Sequence, residues 1–354
     1  AAQAAPFDAP AGLDPALWAR ASRTARLALL AASEAWRMAG LGDGGAAGVL
    51  LGTTTGGMAC GEACLRAELL GGADTTPLVA WLETPISVPG DLVAASIGSH
   101  GPRMTVSTAC SSGANALGLG ADWIRTRRAP AVLCGGADSL CQMTFSGFNA
   151  LQALDRVPCR PFDRRRAGLT LGEGAALFVL EDWDAAARRG ARILGELLGY
   201  GVSADAHHLT QPRPDGAGAV LAMRRALAAA GIEPEAVDYV NAHGTGTPQN
   251  DVVETRAIKT VLGAHAYAVP VSSTKSMIGH CLAAAGASEA LACLLALRDG
   301  FVPPTASLEE ADPECDLDYV PRQSRPAALR TVLSNSYGFG GNNTSLVLRG
   351  GNDG

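Results

Sequence analysis

Short apolar strands that end in small residues and lead into helices recur along this chain, and that alternation limits the fold more than any other feature. Gly48–Gly52 runs into the Thr/Gly turn Thr53–Gly57. Arg103–Ala109 meets the small-residue helix Ser111–Thr126, and Ala131–Cys134 closes on Gly135 and Gly136. A helix over Leu17–Gly40 precedes them. Strands Ala175–Leu180 and Ile193–Val202 flank the helix-prone Trp183–Arg189. The order then returns: helix Gly218–Ala230, strand Val237–Ala242, helix Asp251–Leu262, strand Ala268–Ser272, helix Ala283–Arg298, and strands Val332–Ser336 and Thr344–Leu348. Strands alternating with helices predict an α/β protein with largely parallel central sheets. The second half echoes the first, so we divide the chain at 1–190 and 191–354.

Composition narrows the class. Of 354 residues, 47% are apolar and 18% charged, enough for a large core and too few charges for a disordered chain. The net charge of −6 argues against a nucleic-acid or membrane-surface protein. No apolar run approaches the ~20 residues that span a bilayer. Ala1–Gly12 shows no signal-peptide pattern. Nine irregularly spaced cysteines predict free thiols in a reducing, cytoplasmic setting.

Four stretches carry chemistry. In Thr108-Ala109-Cys110-Ser111-Ser112-Gly113 a thiol stands where a strand meets a helix, and the helix dipole and nearby N–H groups there would lower its pKa. A nucleophile and a small buried thiol fit this stretch equally. Asn241–Pro248 ends a strand in His243, followed by a Gly/Thr turn. Ser273–His280 places Lys275 and His280 in a turn before an Ala-rich helix, where Glu289 reaches back toward Lys275; an ordinary helix-end salt bridge would look the same. Asn335–Asn342 is a glycine loop between strands, with a plain hairpin as the alternative. No phosphate-loop pattern and no metal-ligand spacing occurs, so neither a nucleotide nor a metal is expected.

In this combination and order the sequence resembles the β-ketoacyl-[acyl-carrier-protein] synthases, condensing enzymes of the thiolase fold. The likeness runs from about Ser22 to Leu348, and Cys159–Gly174 and Ser203–Pro212 resemble further family stretches. It implies two similar βαβαβ halves packed as five layers, α-β-α-β-α. Members open with an apolar strand and a Gly-rich turn. This chain opens with Ala1–Pro10, so the first strand of the N-terminal half is expected to be missing.

By resemblance, Cys110 is the nucleophile, His243 and His280 are the active-site histidines, and Lys275 and Glu289 are the charged pair beside them. Phe339 is a gate whose N–H joins that of Cys110 in an oxyanion hole. Gly338, Gly340 and Gly341 form one gating loop, and Asp205 lies in a second. The implied reaction is a decarboxylative condensation of a Cys-bound acyl group with malonyl-carrier protein, in fatty acid or polyketide elongation, with no metal or diffusible cofactor. The implied partners are an acyl carrier protein and a second copy or a related subunit. Carriers are acidic, so docking is expected at Arg164, Arg165 and Arg166, or at Arg20, Arg23 and Arg26. Thr76–Ile86 is the implied pocket-lining and dimer-contact segment.

Three competing readings account for fewer of these residues. A thiolase normally carries a second catalytic Cys in the C-terminal loop, and Asn335–Asn343 has none. A non-catalytic chain-length subunit usually lacks the nucleophile, whereas Cys110 is present. A Cys-His hydrolase leaves two histidines, Lys275 and Phe339 unexplained.

Overall fold

The computed structural model describes residues 1–70 and 78–351. Thr76 and Pro77 of the implied pocket segment therefore lie outside the described residues. The first half runs α1 (Pro15–Arg20), α2 (Arg23–Ala39), β1 (Gly48–Gly52), α3 (Met58–Leu69), α4 (Leu78–Leu82), α5 (Val88–Ser96), β2 (Arg103–Val106), α6 (Ser112–Arg125), β3 (Ala131–Asp138), α7 (Gln142–Ala150), β4 (Gly174–Glu181) and α8 (Trp183–Arg188). The second runs β5 (Gly195–Ala204), α9 (Ala217–Ala230), β6 (Tyr239–Asn241), α10 (Pro248–Leu262), β7 (Val271–Ser272), α11 (Lys275–Ile278), α12 (Ala285–Asp299), β8 (Phe301–Val302), β9 (Arg325–Pro326), β10 (Thr331–Gly338) and β11 (Asn342–Gly350).

Two sheets carry the fold, ordered β2-β1-β3-β4 and β5-β11-β10-β6-β7. From the β2 and β7 edges both pair parallel, parallel, antiparallel. The second sheet adds β5 antiparallel to β11, and no strand among the described residues takes that place beyond β4. This is the strand expected to be missing. The sheets are mixed rather than largely parallel. β10 and β11 are joined through a three-residue turn, and so short a link only allows the second strand to return antiparallel.

Alternating side chains along the strands feed three separate cores. Val49, Leu51 and Leu133 point to α2 and α5; Leu50, Val132 and Cys134 point the other way, toward α6 and α12. From the second sheet, Val332, Leu346 and Leu348 join that middle core, while Leu333 and Val347 face α9 and α10. The layers are helix, sheet, helix, sheet, helix, as the resemblance implied, with α6 and α12 in the middle.

Local differences have local causes. The helix expected over Leu17–Gly40 is two helices, because the Ser22 hydroxyl accepts the Ala25 N–H and starts α2 afresh. β2 stops at Val106, short of the expected Ala109, which takes a left-handed φ of 53° and lies outside the strand. The sequence gives no sign of α3 and α7: α3 buries only Cys64 and α7 buries none of its residues, so neither carries an apolar stripe.

Candidate active site

Cys110 stands in the turn before α6, and His280 in the turn before α12, so the two middle helices begin at the same place. Cys110 is buried. Gly338, at the end of β10, lies against it: a Cβ there would come 2.8 Å from the Thr108 carbonyl oxygen and 3.1 Å from the Cys110 nitrogen. Only glycine lets that strand end reach the thiol. Burial pushes the Cys110 thiol up to about 11. Lys275 and hydrogen bonds from the N–H groups of Phe339 and Cys110 pull it back down in part. This corrects the expectation of a lowered pKa, since desolvation outweighs the helix start and the uncharged thiol is the resting form.

The two histidine rings lie 5.4 Å apart at 86°. Burial, then Lys275, hold both well below the usual histidine range, and His280 adds to the effect on His243. Both are therefore neutral at physiological pH. Lys275 Nζ is 3.3 Å from His243 Nδ1, donates to the His243 carbonyl at 2.6 Å, and pairs with Glu289. The pair is 1% exposed at each partner, so it belongs to the interior of the site.

Phe339 begins the turn between β10 and β11, and its ring stacks on Phe148 at 5.3 Å. Gly340 and Gly341 have φ of 80° and 74°, values that side chains resist. The Gly340 N–H donates to the Leu209 carbonyl, and the Asp205 N–H donates to the Gly341 carbonyl. Asp205 also accepts from Asn343 and from the Arg213 N–H. The two loops named in the sequence thus touch each other.

Sequence reasoning missed Glu254. Its two carboxylate oxygens accept the His243 and Gly244 N–H groups, each at 2.8 Å, and so fix the backbone that carries His243. Burial pushes Glu254 up to about 7. The available signal was a carboxylate on a face of α10 that also holds Val253, Ala257 and Ile258. Phe148 and Tyr337, whose ring lies 5.6 Å from His243, were missed as well.

The basic residues divide. Arg23 is bonded to buried Glu173, and Arg166, 6% exposed, pairs with Asp312. Neither is free to offer its charge to a partner. Arg165 pairs with Asp163, Glu309 and Glu310. Arg26 lies over the Trp18 ring. Arg20 donates to Glu83 from a half-exposed position, and Arg164, 69% exposed, is 3.9 Å from Glu310.

Comparison with known proteins gives the same assignment. Residues 3–186 match the "Beta-ketoacyl synthase, N-terminal domain" and residues 194–309 the "Beta-ketoacyl synthase, C-terminal domain". The chain belongs to the β-ketoacyl synthase family. It is 47% identical to a Synechocystis 3-oxoacyl-[acyl-carrier-protein] synthase 2 over 265 residues, 73% of this chain and 64% of that relative. It is 42% identical to a Streptomyces halstedii putative polyketide beta-ketoacyl synthase 1, over 97% of this chain and 86% of the relative. Among solved structures, the ishigamide ketosynthase/chain length factor superposes with a TM-score of 0.93 at 37% identity, covering 99% of this chain and 87% of that one. In this β-ketoacyl synthase the thiol lies in the turn before α6, His280 in the turn before α12, and the glycine loop against the thiol's backbone. No helix among the described residues is long and apolar enough to cross a membrane.

Proposed function

We propose that this β-ketoacyl synthase catalyses decarboxylative condensation of an acyl group held on Cys110 with a malonyl group delivered by an acyl carrier protein. The observation that supports it most directly is Lys275 against His243 Nδ1, beside a second neutral histidine. A cation on Nδ1 leaves the hydrogen on Nε2, so His243 presents a donor to the site.

The Cys110 proton passes to a neutral imidazole as the sulfur attacks the acyl thioester. The acyl–carrier C–S bond breaks, and the carrier thiol leaves with a proton. Charge on the carbonyl oxygen falls on the N–H groups of Cys110 and Phe339, which already point at the sulfur. Malonyl-carrier then loses CO2, and the electron pair of the broken C–C bond passes into an enolate, whose oxygen His243 and His280 stabilise as donors. The enolate carbon attacks the acyl carbonyl, a C–C bond forms, and Cys110 leaves as thiolate, which takes up a proton from solvent to restore the thiol. Lys275 and Glu289 fix the histidines and the local field. The scheme needs no metal or diffusible cofactor.

The likeness to a ketosynthase/chain length factor also fits a partnered, non-catalytic subunit; the retained thiol favours the catalytic reading. Met104 on the β2 edge and Trp81, Leu82, Ile86, Met143 and Phe145 are exposed apolar residues that could meet a second copy or a related subunit. Free cysteines throughout favour the cytoplasm. Arg20 and Arg164 are the most accessible carrier-docking cations of those named.

Radiolabelled acyl- and malonyl-carrier substrates test the scheme. Cys110→Ala should lose acyl transfer altogether. His243→Ala and His280→Ala should keep acyl transfer better than decarboxylation, which falls about 100-fold or more. Parent-rate decarboxylation by both histidine variants would overturn the roles assigned here.

A further inference from the structure

Asp138 ends β3 with its side chain fully buried and, among the described residues, no cationic partner, yet its carboxylate is surrounded by donors. Oδ1 accepts the Thr53 hydroxyl at 2.7 Å, the Thr54 and Thr55 N–H groups at 2.9 Å each, and the Thr55 hydroxyl at 2.8 Å. Oδ2 accepts the Thr54 hydroxyl and, from the other half of the chain, the Ala283 N–H at 2.9 Å. That last bond spans 145 residues and lands three positions after His280.

The turn it reaches is strained. Leu282 has a φ of 52°, a left-handed conformation that side chains resist and that persists only where its surroundings hold it. The same turn is nested against the nucleophile's helix. A Cβ at Gly113 or at Gly136 would come within 2.6 Å of the Ala283 carbonyl oxygen. Gly113 is three residues after Cys110, and Gly136 is two before Asp138. Ala283 is thus held through its carbonyl side by the absence of two side chains and through its N–H by one carboxylate.

We propose that Asp138 is a positioning residue that sets His280 against Cys110 by holding the Leu282–Ala284 turn on the start of α6. The inference rests on the condensation scheme above. Among the described residues the carboxylate has no hydrogen bond to the thiol or the histidine, and its charge acts on Cys110 only by raising the thiol. Its loss should therefore disturb the step that depends on His280 without hindering the one that depends on the thiol and its N–H groups.

The test measures the two half-reactions separately in full-length protein: acyl loading onto Cys110, and decarboxylation of malonyl-carrier by the acylated enzyme. Asp138→Asn keeps the size but turns an amide toward the donors. It should lower decarboxylation about tenfold or more and change acyl loading less than threefold. Asp138→Glu keeps the acceptor but displaces it by one methylene; it should show the same split at smaller size, and carries the test alone if Asp138→Asn does not fold. Thr24→Val loosens the same cluster, since Thr24 bonds Thr55 and Ser139 but not Asp138, and should leave the ratio of the two rates unchanged. If both rates fall together in the Asp138 variants, or neither falls, the positioning role is wrong. If the parent performs neither half-reaction, it is the condensation scheme that fails.

Discussion

Lys275 Nζ lies 3.3 Å from Nδ1 of His243 and 2.6 Å from the same residue's carbonyl oxygen. One ammonium therefore fixes both the ring tautomer and the backbone of the proposed donor, and buried Glu289 balances its charge. Removing one member of such a buried pair strands the other, at a cost of ~3–5 kcal/mol, whereas removing both leaves no bare charge. Lys275→Met and Glu289→Gln should each lower unfolding stability by about that much. The double variant should be more stable than the sum of the two losses by over ~1 kcal/mol. Urea unfolding checks the stabilities. Decarboxylation should stay low in the double variant, because His243 has lost the cation that sets its tautomer. Additive stability losses would show that the pair is not coupled.

A second expectation follows from Glu254. Unfolded, it titrates near 4.5; folded, burial raises it to about 7. Between those values the native state holds a proton that the unfolded chain lacks. Its contribution to stability is thus complete below 4.5 and lost as pH rises through 7. His243 and His280, held far below 6.5, act oppositely: their contribution is present above 6.5 and lost as pH falls. Comparing Glu254→Gln with the parent cancels the histidines. The stability difference, parent minus variant, should shrink by roughly 2–3 kcal/mol between pH 5 and pH 8. A difference that stays flat over that range would place the Glu254 carboxyl at an ordinary pKa.

Part of this site was legible in the sequence because its residues sit where elements change. Cys110, His243, His280 and the loop at Phe339 are each at a strand end or helix start, and composition shifts there from apolar to glycine, threonine and serine. Glu254 and Asp138 were not legible. Each lies inside or at the end of an ordinary element, and its importance comes from N–H groups that tertiary packing brings to it. The same limit hid α3 and α7, whose faces bury almost nothing and so leave no period. It also explains the misjudged thiol: the helix start at Cys110 was readable, but the burial that desolvates it was not. Arg23 and Arg166 looked like surface charges for the same reason, since Glu173 and Asp312 are 150 and 146 residues away along the chain.

Reactivity of the thiols should follow burial and pKa together. Cys60 is partly exposed and the other eight cysteines are buried. Iodoacetamide should therefore modify Cys60 at neutral pH with little loss of activity. Alkylation of Cys110, with its thiol pushed up to about 11, should rise roughly tenfold per pH unit from pH 7 to 10. Peptide mapping by mass spectrometry at several pH values reads both. A plateau in Cys110 labelling near pH 8 would mean the thiolate is stabilised far more than this environment allows.

The glycine turn supports the last prediction. Phe339 is followed by two residues in left-handed conformations, and its ring rests on Phe148 at 5.3 Å. The loop is tied to the Asp205 loop through backbone bonds at Gly340 and Gly341 rather than through the ring. A change of ring rotamer would break the stacking on Phe148 but none of these backbone bonds, so the N–H could stay near the sulfur. A gate of this kind would cover the empty thiol and clear the malonyl site once an acyl chain is loaded. Phe339→Ala keeps the N–H and should leave acyl loading within about threefold of the parent. It should also remove the dependence of decarboxylation on prior acylation, so that free and acylated enzyme release CO2 from malonyl-carrier at similar rates. Phe148→Ala, which takes away the surface the ring rests on, should move the same ratio in the same direction but less. If Phe339→Ala lowers only the melting temperature and acylation still stimulates decarboxylation, the ring is a fixed part of the core and the order of events is set elsewhere.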